Sequence, residues 1–128
     1  MDVQTWVDRY GEAWEQADVD GAVALFTEDA TYRSLIFDAP NAGHEGVAAY
    51  WSGVTSRQSD VEVTMGRPFG DAGRATVEFW TRMAVDGEDV TVAGCLLLTF
   101  AEDGRCRELR EYWNLAEGRQ TPPPEYGT

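Results

Sequence analysis

The spacing of hydrophobic positions changes once along the chain, from a helical pattern to an alternating one. Near the N-terminus, apolar residues recur at i, i+3, i+4 and i+7, which predicts an amphipathic first helix capped by Asp2. This stripe consists of Val3, Trp6, Val7, Tyr10, Ala13, Trp14 and Ala17. Asp20 is expected to cap a short second helix that contains Val23, Leu25 and Phe26. A third helix is predicted from the spacing of Val47, Tyr50, Trp51 and Val54.

Alternation elsewhere predicts strands joined by tight turns. A first strand is expected over residues 31–36, ended by a loop rich in Pro, Asn and Gly. Four more strands are expected over residues 61–69, 74–85, 90–101 and 105–115. The joints Asp71-Ala72-Gly73, Asp86-Gly87 and Asp103-Gly104 contain residues that tolerate positive φ, as hairpins require. The predicted fold class is therefore α+β, with three N-terminal helices packed on a curved, mainly antiparallel sheet.

The order of these segments resembles the nuclear transport factor 2-like (NTF2-like) superfamily. The resemblance rests on a helix bearing Trp14, a short second helix, the run from Phe26 to Tyr32, and a Gly43-initiated helix ending in Tyr50-Trp51. Within the superfamily the chain resembles the SnoaL-like group, over about residues 3–115. The resemblance implies a cone-shaped fold that encloses a pocket. It places the SnoaL-like domain at residues 1–117 and leaves a Pro-containing C-terminal tail at residues 118–128.

Composition narrows the possible partners. The chain has 128 residues, 43% of them hydrophobic, which suits one domain with one core. A net charge of -13 disfavours binding to nucleic acid. The apolar run from Val92 to Leu98 is far shorter than the roughly 18 residues that a membrane span needs, so we expect a cytoplasmic protein with no membrane partner. All ten basic residues are Arg, which excludes Schiff-base chemistry through Lys.

The two cysteines are expected to be free thiols. If Asp103-Gly104 is a two-residue turn, Cys106 lies opposite Ala101 and Cys95 lies opposite Tyr112. The two sulfur atoms would then be separated by about 15–20 Å, too far for a disulfide. Because there is only one His and the cysteines are distant, we expect no metal site and no cofactor.

The resemblance also implies which side chains face the pocket. Ketosteroid isomerases and limonene epoxide hydrolases, two groups of the superfamily, place their pocket residues on one face of these strands. Carried over to this chain, that face consists of Tyr32, Ser34, Ile36, Phe79, Thr81, Met83, Leu96, Leu98, Leu109, Glu111 and Trp113. The helical wall would consist of Tyr10, Trp14, Tyr50 and Trp51. Such a pocket suits a small apolar or aromatic molecule.

Neither of these two catalytic patterns carries over intact. Tyr10 matches a Tyr of the isomerases, but Ser34 occupies the position of their general base and Leu96 the position of their protonated acid. A serine hydroxyl cannot shuttle a proton at neutral pH, so isomerisation by that mechanism is not expected. The run from Leu109 to Asn114 resembles the closing strand of the epoxide hydrolases, with Glu111 at the place of a catalytic carboxylate. Their companion Arg and Asp have no counterpart here.

Glu111, Tyr32 and His44 are the candidate catalytic residues, and each also has a purely structural interpretation. Desolvation would raise the pKa of Glu111 into the range useful for acid–base catalysis. A one-residue error in strand phase would instead turn Glu111 to solvent, and a hydrogen bond to Tyr32 would make it a buried polar pair. His44 is expected in a loop just before the third helix, either over the pocket mouth or simply solvated. Tyr10 and Tyr32 could orient a carbonyl or only satisfy a neighbour.

The sequence is compatible with three functions. The first is a cofactor-independent isomerase, cyclase, dehydratase or hydrolase that acts by acid–base catalysis on a small apolar carbonyl or epoxide compound. The second is a non-catalytic binding protein, and the third a dimeric interaction module whose cone is filled by its own side chains. Trp80, Leu97 and Tyr112 lie on the outer sheet face, where we expect a homodimer. The alternative is that the tail, with Tyr126, folds over this face.

Overall fold

The chain folds into three helices, as predicted, and seven strands, two more than the five predicted. The computed structural model describes residues 1–128. Its helices are α1 (Val3–Gln16), α2 (Val19–Val23) and α3 (Gly43–Thr55). Its strands are β1 (Phe26–Arg33), β2 (Asn41–Ala42), β3 (Gln58–Met65), β4 (Phe69–Gly70), β5 (Arg74–Val85), β6 (Glu88–Phe100) and β7 (Cys106–Glu117).

All seven strands belong to one sheet, in the order β2-β1-β7-β6-β5-β3, with β4 paired to β5. Only β1 and β7 pair in parallel, and the other pairs are antiparallel. The helices lie on one face, where α1 contacts β3 and α3 contacts β1. The predicted α+β plan, with a mainly antiparallel sheet, is confirmed. No helix combines the length and the apolar character that crossing a membrane requires.

The helix caps agree with prediction at α1 and differ at α2. Asp2 accepts a hydrogen bond from the Thr5 amide at 2.8 Å, as an N-cap should. At α2 the cap is Asp18, which accepts from the Gly21 amide at 2.9 Å, so the expectation of Asp20 is wrong. Asp20 lies inside a helix of only five residues. Leu25 and Phe26 lie beyond its end.

The first strand begins and ends earlier than predicted. β1 starts at Phe26, and its last pair with β7 joins Arg33 to Arg110. After Arg33 the chain turns, and it returns as β2 against Thr31 and Tyr32. Ser34 and Ile36 therefore lie outside the strand that was expected to hold them. From Glu111 onward, β7 is paired only with β6 and has no strand on its other side.

The long hairpin strands agree closely with the sequence prediction. β5 has the predicted bounds, and Asp86 and Gly87 both adopt positive φ in the turn that follows. Cys95 pairs with Tyr112, as the turn at Asp103-Gly104 predicts. β3, in contrast, ends at Met65 instead of residue 69, and Phe69 belongs to the separate short strand β4.

A β-bulge changes the register near the start of β7. Thr99 pairs with Glu108, but the neighbouring Phe100 pairs with Cys106, so β7 carries one extra residue between them. Cys106 therefore faces Phe100 and not the predicted Ala101. Both cysteines are free thiols, as expected.

Aromatic side chains connect α1 to the sheet. Trp6 is fully buried, and its indole N–H donates to the Leu25 carbonyl oxygen at 2.9 Å. Its ring stacks on Tyr10 with a centroid distance of 5.1 Å and meets Phe26 and Phe100 edge-on. These contacts fill one end of the space between α1 and the sheet.

The C-terminal tail covers part of the outer sheet face. The Tyr126 ring packs edge-on against Trp80 at 5.7 Å, and the Arg67 amide donates to the Gly127 carbonyl oxygen at 2.7 Å. Tyr112, on the same face, is 41% exposed. The tail thus covers Trp80, which belongs to the outer sheet face where a homodimer was expected. The homodimer itself stays a prediction.

Replacing Trp6 with Ala should lower the free energy of unfolding by about 3–5 kcal/mol, because a large buried ring and its contacts are lost. Urea denaturation followed by far-UV circular dichroism measures the change. Glu12→Ala, on the exposed side of the same helix, is the matched control and should cost less than about 0.5 kcal/mol. Equal losses of unfolding free energy in the two variants would contradict a central role of Trp6 in the core.

Candidate active site

A cavity of about 200 Å³ lies between α1, α3 and the inner face of the sheet. It is called the inner cavity below. Most of its wall is apolar or aromatic, and Glu111 is its one carboxyl group. The lining residues are Tyr10, Trp14, Tyr32, Tyr50, Trp51, Val54, Thr55, Gln58, Met83, Val92, Glu111, Trp113 and Leu115.

Glu111 points into this cavity from the middle of β7. It pairs with Leu96 across the sheet and is only 7% exposed. No protein group forms a hydrogen bond to its carboxyl, and burial raises the pKa of Glu111 to about 8. At pH 7 the side chain is therefore mainly a neutral carboxylic acid. Its burial excludes the solvent-facing orientation that an error in strand phase would have produced.

Two buried tyrosines form a hydroxyl pair in the same cavity. The hydroxyl oxygens of Tyr10 on α1 and Tyr32 on β1 lie 2.6 Å apart. Burial raises the pKa of both well above the ordinary value, so both stay neutral. Within the pair one hydroxyl donates and the other accepts, and the accepting hydroxyl keeps a hydrogen that it can donate elsewhere. Tyr32 is therefore partnered by Tyr10 and not by Glu111.

Tyr50 adds a third hydroxyl from α3. Its ring centroid lies 5.1 Å from that of Tyr32. Burial raises the pKa of Tyr50 to about 12, with a further rise from the Glu111 charge and an opposing effect from the Ser34 side chain. A charge on Glu111 raises the pKa of Tyr10 and Tyr32 as well. The charge state of the Glu111 carboxyl thus affects all three tyrosine hydroxyls of a mostly apolar cavity.

Tryptophans make up much of the remaining wall. The Trp14 indole N–H donates to Gln58 Oε1 at 2.9 Å, which fixes the ring between α1 and β3. Trp51 meets the Tyr10 ring edge-on at 5.5 Å. Trp113 is 37% exposed and Leu115 is 57% exposed, so the C-terminal half of β7 forms the rim of the cavity.

The structure brings most of the sequence-predicted site residues together. Eight of them line the cavity: Tyr10, Trp14, Tyr32, Tyr50, Trp51, Met83, Glu111 and Trp113. Five more are buried behind the wall: Phe79, Thr81, Leu96, Leu98 and Leu109. Ser34 and Ile36 lie outside the inner cavity, beyond the end of β1.

His44 is placed differently from the expectation. It lies in the first turn of α3 and not in a loop before the helix. Its Nε2 is 2.7 Å from the Phe26 carbonyl oxygen, so the ring links α3 to the start of β1. His44 does not line the inner cavity.

Five lining residues were not among the predicted site residues. Val92 and Leu115 continue the inward alternation of β6 and β7, which the sequence shows. Val54 continues the apolar spacing of α3. Thr55 and Gln58 flank the connection between α3 and β3, where no periodic signal exists. No three His, Cys, Asp or Glu side chains lie together in a way that could hold a metal ion.

Comparisons with known proteins identify the fold. Residues 7–109 match the family model of the SnoaL-like domain. A search of the curated proteins found no significant match by sequence. Among solved structures, the epoxide hydrolase/cyclase-like enzyme SalBIII, which has a role in pyran ring formation in the polyether salinomycin, is similar. It has 19% identity and a TM-score of 0.79, over 89% of this chain and 94% of that one.

Two further structures have the same fold. One is a hypothetical protein with a ketosteroid isomerase-like fold from Catenulispora acidiphila, in complex with trimethylamine. It has 18% identity and a TM-score of 0.76, over 88% of this chain and 86% of that one. The other, from Novosphingobium aromaticivorans, is provisionally named an aromatic ring hydroxylase. It has 22% identity and a TM-score of 0.73, over 90% of each chain.

At these identities the structural neighbours show the fold alone, and it is the NTF2-like cone that the sequence predicted. The family match spans most of the chain. This protein belongs to the SnoaL-like domain family.

Proposed function

We propose that this protein is a cofactor-independent enzyme that applies acid–base catalysis to a small apolar carbonyl or epoxide compound. The observation that carries the proposal is the Glu111 carboxyl, which is buried in the inner cavity without a hydrogen-bond partner. A buried polar group without a partner costs stability, and such groups concentrate where a ligand completes them.

The protonation state of Glu111 suits a general acid. Near pH 7 the neutral carboxylic acid donates its proton to a carbonyl or epoxide oxygen as negative charge develops there. The resulting carboxylate then accepts a proton, either from the carbon next to a carbonyl or from the hydroxyl that attacks an epoxide. Each cycle therefore returns the proton to Glu111.

The tyrosines would stabilise the developing charge. The free hydrogen of the Tyr10–Tyr32 pair can be donated to a substrate oxygen, and so can the Tyr50 hydroxyl hydrogen. Because their pKa values lie far above neutral, these hydroxyls donate hydrogen bonds but do not exchange protons.

The size of the inner cavity limits the compound. About 200 Å³ is below the roughly 300–1,000 Å³ typical of sites for drug-sized ligands. A small ring with one polar oxygen fits aromatic walls with a single polar group. The role of SalBIII in pyran ring formation is consistent with this chemistry. The open cavity argues against a cone filled by its own side chains.

A non-catalytic binding protein is the second candidate. Glu111 is the only group in the cavity with a pKa near neutral, so the cavity offers no second side chain for a reaction that needs a separate acid and base.

The expected homodimer is compatible with either function. Sedimentation velocity tests directly whether the protein is a dimer.

Binding should be visible in tryptophan fluorescence, because Trp14, Trp51 and Trp113 line the cavity. Titration with small phenols and cyclic ketones should give saturable quenching. Glu111→Gln should weaken binding or remove its pH dependence, whereas Glu117→Gln, at the exposed end of β7, should behave like the wild type. No quenching by any compound would contradict the proposal.

Stability should depend on pH through Glu111. Burial raises its pKa from about 4.5 to about 8, so the stabilising preference for the neutral form is complete below about pH 4.5 and is lost as the pH rises to about 8. Between these values the free energy of unfolding should fall by about 1.4 kcal/mol per pH unit relative to Glu111→Gln. Urea denaturation at a series of pH values measures this difference. A wild type with the same slope as the Gln variant would mean that Glu111 is not desolvated.

Turnover of a bound compound should depend on the protonated acid. Glu111→Gln should lower kcat by about 100- to 10,000-fold, and the wild-type kcat should fall as the pH rises through about 8. Product formation followed by chromatography checks both effects. Unchanged affinity in Glu111→Gln, with no turnover of any bound compound, would favour the binding protein.

A further inference from the structure

Aromatic rings from four different elements line the inner cavity. They are Tyr10 and Trp14 on α1, Tyr32 on β1, Tyr50 and Trp51 on α3, and Trp113 on β7. The Tyr10 ring stands nearly perpendicular to the Trp14 ring, at 80°, and to the Trp51 ring, at 84°. These rings therefore form adjoining walls around a space and not a flat stack.

Walls of this composition suit a small organic cation. The faces of aromatic rings carry partial negative charge, and several rings around one methylated ammonium group are a common way to bind it. Three of the six rings are indoles, which attract cations best among aromatic side chains. A cavity of about 200 Å³ equals the volume of about seven water molecules at about 30 Å³ each, which leaves room for a fully methylated ammonium group.

The charges around the cavity also favour a cation over an anion. Glu111 carries the one carboxyl of the wall, and none of the ten Arg residues lines the cavity. The net charge of -13 attracts small cations and repels anions. A cation close to Glu111 would lower the pKa of this carboxyl, so binding would convert the neutral acid to a carboxylate and release its proton to solvent.

We propose that the inner cavity also binds small methylated ammonium ions, which the aromatic walls enclose and the Glu111 carboxylate neutralises. The chemical class is a permanent cation with a trimethylammonium group and one short substituent. The substituent would leave by the rim, where Trp113 and Leu115 are partly exposed. Such binding requires no turnover, so it is independent of the proposed function, and these ions would compete with neutral compounds for the cavity.

The affinity for a permanent cation should rise with pH, whereas turnover by the general acid should fall. Glu111 has a pKa of about 8, so at pH 7 the removal of its proton should weaken cation binding about tenfold. Above pH 8 the affinity should level off. The residues that face the cavity from the other elements stay uncharged over this range, and they include Tyr10 on α1, Tyr32 on β1, Tyr50 on α3, Gln58 on β3, Met83 on β5 and Val92 on β6.

Choline and 3,3-dimethylbutan-1-ol are a matched pair of test ligands, because the alcohol has the same shape without the charge. Tryptophan fluorescence titrations at pH 8.5 and constant ionic strength should show that choline binds about tenfold more tightly. Below pH 8 the dissociation constant of choline should rise about tenfold per pH unit, and that of the alcohol should change little. At pH 7, choline binding should release close to one proton, which a pH indicator in weakly buffered solution measures.

Variants separate the carboxylate from the rings. Glu111→Gln should remove the pH dependence and the proton release, whereas Glu117→Gln, at the exposed end of β7, should behave like the wild type. Trp113 is 37% exposed, so Trp113→Leu should fold normally and weaken choline binding about 2- to 30-fold, with little effect on the alcohol. Leu115→Ala, on the same rim but without loss of a ring, should weaken both ligands equally.

Two results would overturn cation binding while leaving the proposed acid in place. One is equal affinity for choline and the alcohol at pH 8.5, with phenols still bound. The other is wild-type affinity for choline in Glu111→Gln, since the cation would then lie on the acidic surface of the protein. Choline binding without turnover of any carbonyl or epoxide compound would support the cation site and contradict the proposed catalysis. Failure of choline and of every phenol to bind would contradict both proposals.

Discussion

The packing of α1 on the curved sheet is the constraint on which the rest of the structure depends. Trp6, Tyr10 and Trp14 follow one another at intervals of four residues, so they form a single stripe along the helix. At the Trp6 end, Phe26 and Phe100 fill the space between helix and sheet. At the Trp14 end the same space is left open as the inner cavity. One helix face thus holds the domain together and forms the wall of its site.

This packing also explains the electrostatics of the site. A carboxyl opposite Leu96, with aromatic rings around it, is desolvated by burial and has no cation beside it in the cavity wall to stabilise its charge. All ten basic residues are Arg, and none of them lines the inner cavity. The three tyrosine hydroxyls of the cavity stay neutral themselves, because burial raises the pKa of each. The raised pKa of Glu111 is therefore a consequence of burial alone, and no specific partner is needed to produce it.

Much of this arrangement could be predicted from the sequence, because it depends on local periodicity. The stripe on α1 and the turn at Asp86-Gly87 are consequences of spacing along the chain, whereas the inward orientation of Glu111 followed from the family resemblance, because alternation alone leaves the strand phase open by one residue. The features that could not be predicted depend on contacts between distant segments. β1 starts at Phe26 because that residue pairs with Cys106, and His44 is held by the Phe26 carbonyl oxygen. The edge of β7 is open beyond Arg110 because β1 stops short of Glu111, a boundary that alternation does not reveal.

The bulge near the start of β7 has a consequence for how this site tolerates changes of chain length in evolution. Cys106 and Leu109 are both fully buried although their separation is odd, which a regular strand does not allow. If Arg107 were deleted, the bulge would disappear, and Cys106, Leu109 and Glu111 would still face the same side of the sheet in regular alternation. A single codon gained or lost at this point would thus add or remove the bulge while the buried acid and the fold persisted. Relatives with the same cone can therefore differ by one residue in this hairpin and still place an acid where Glu111 lies.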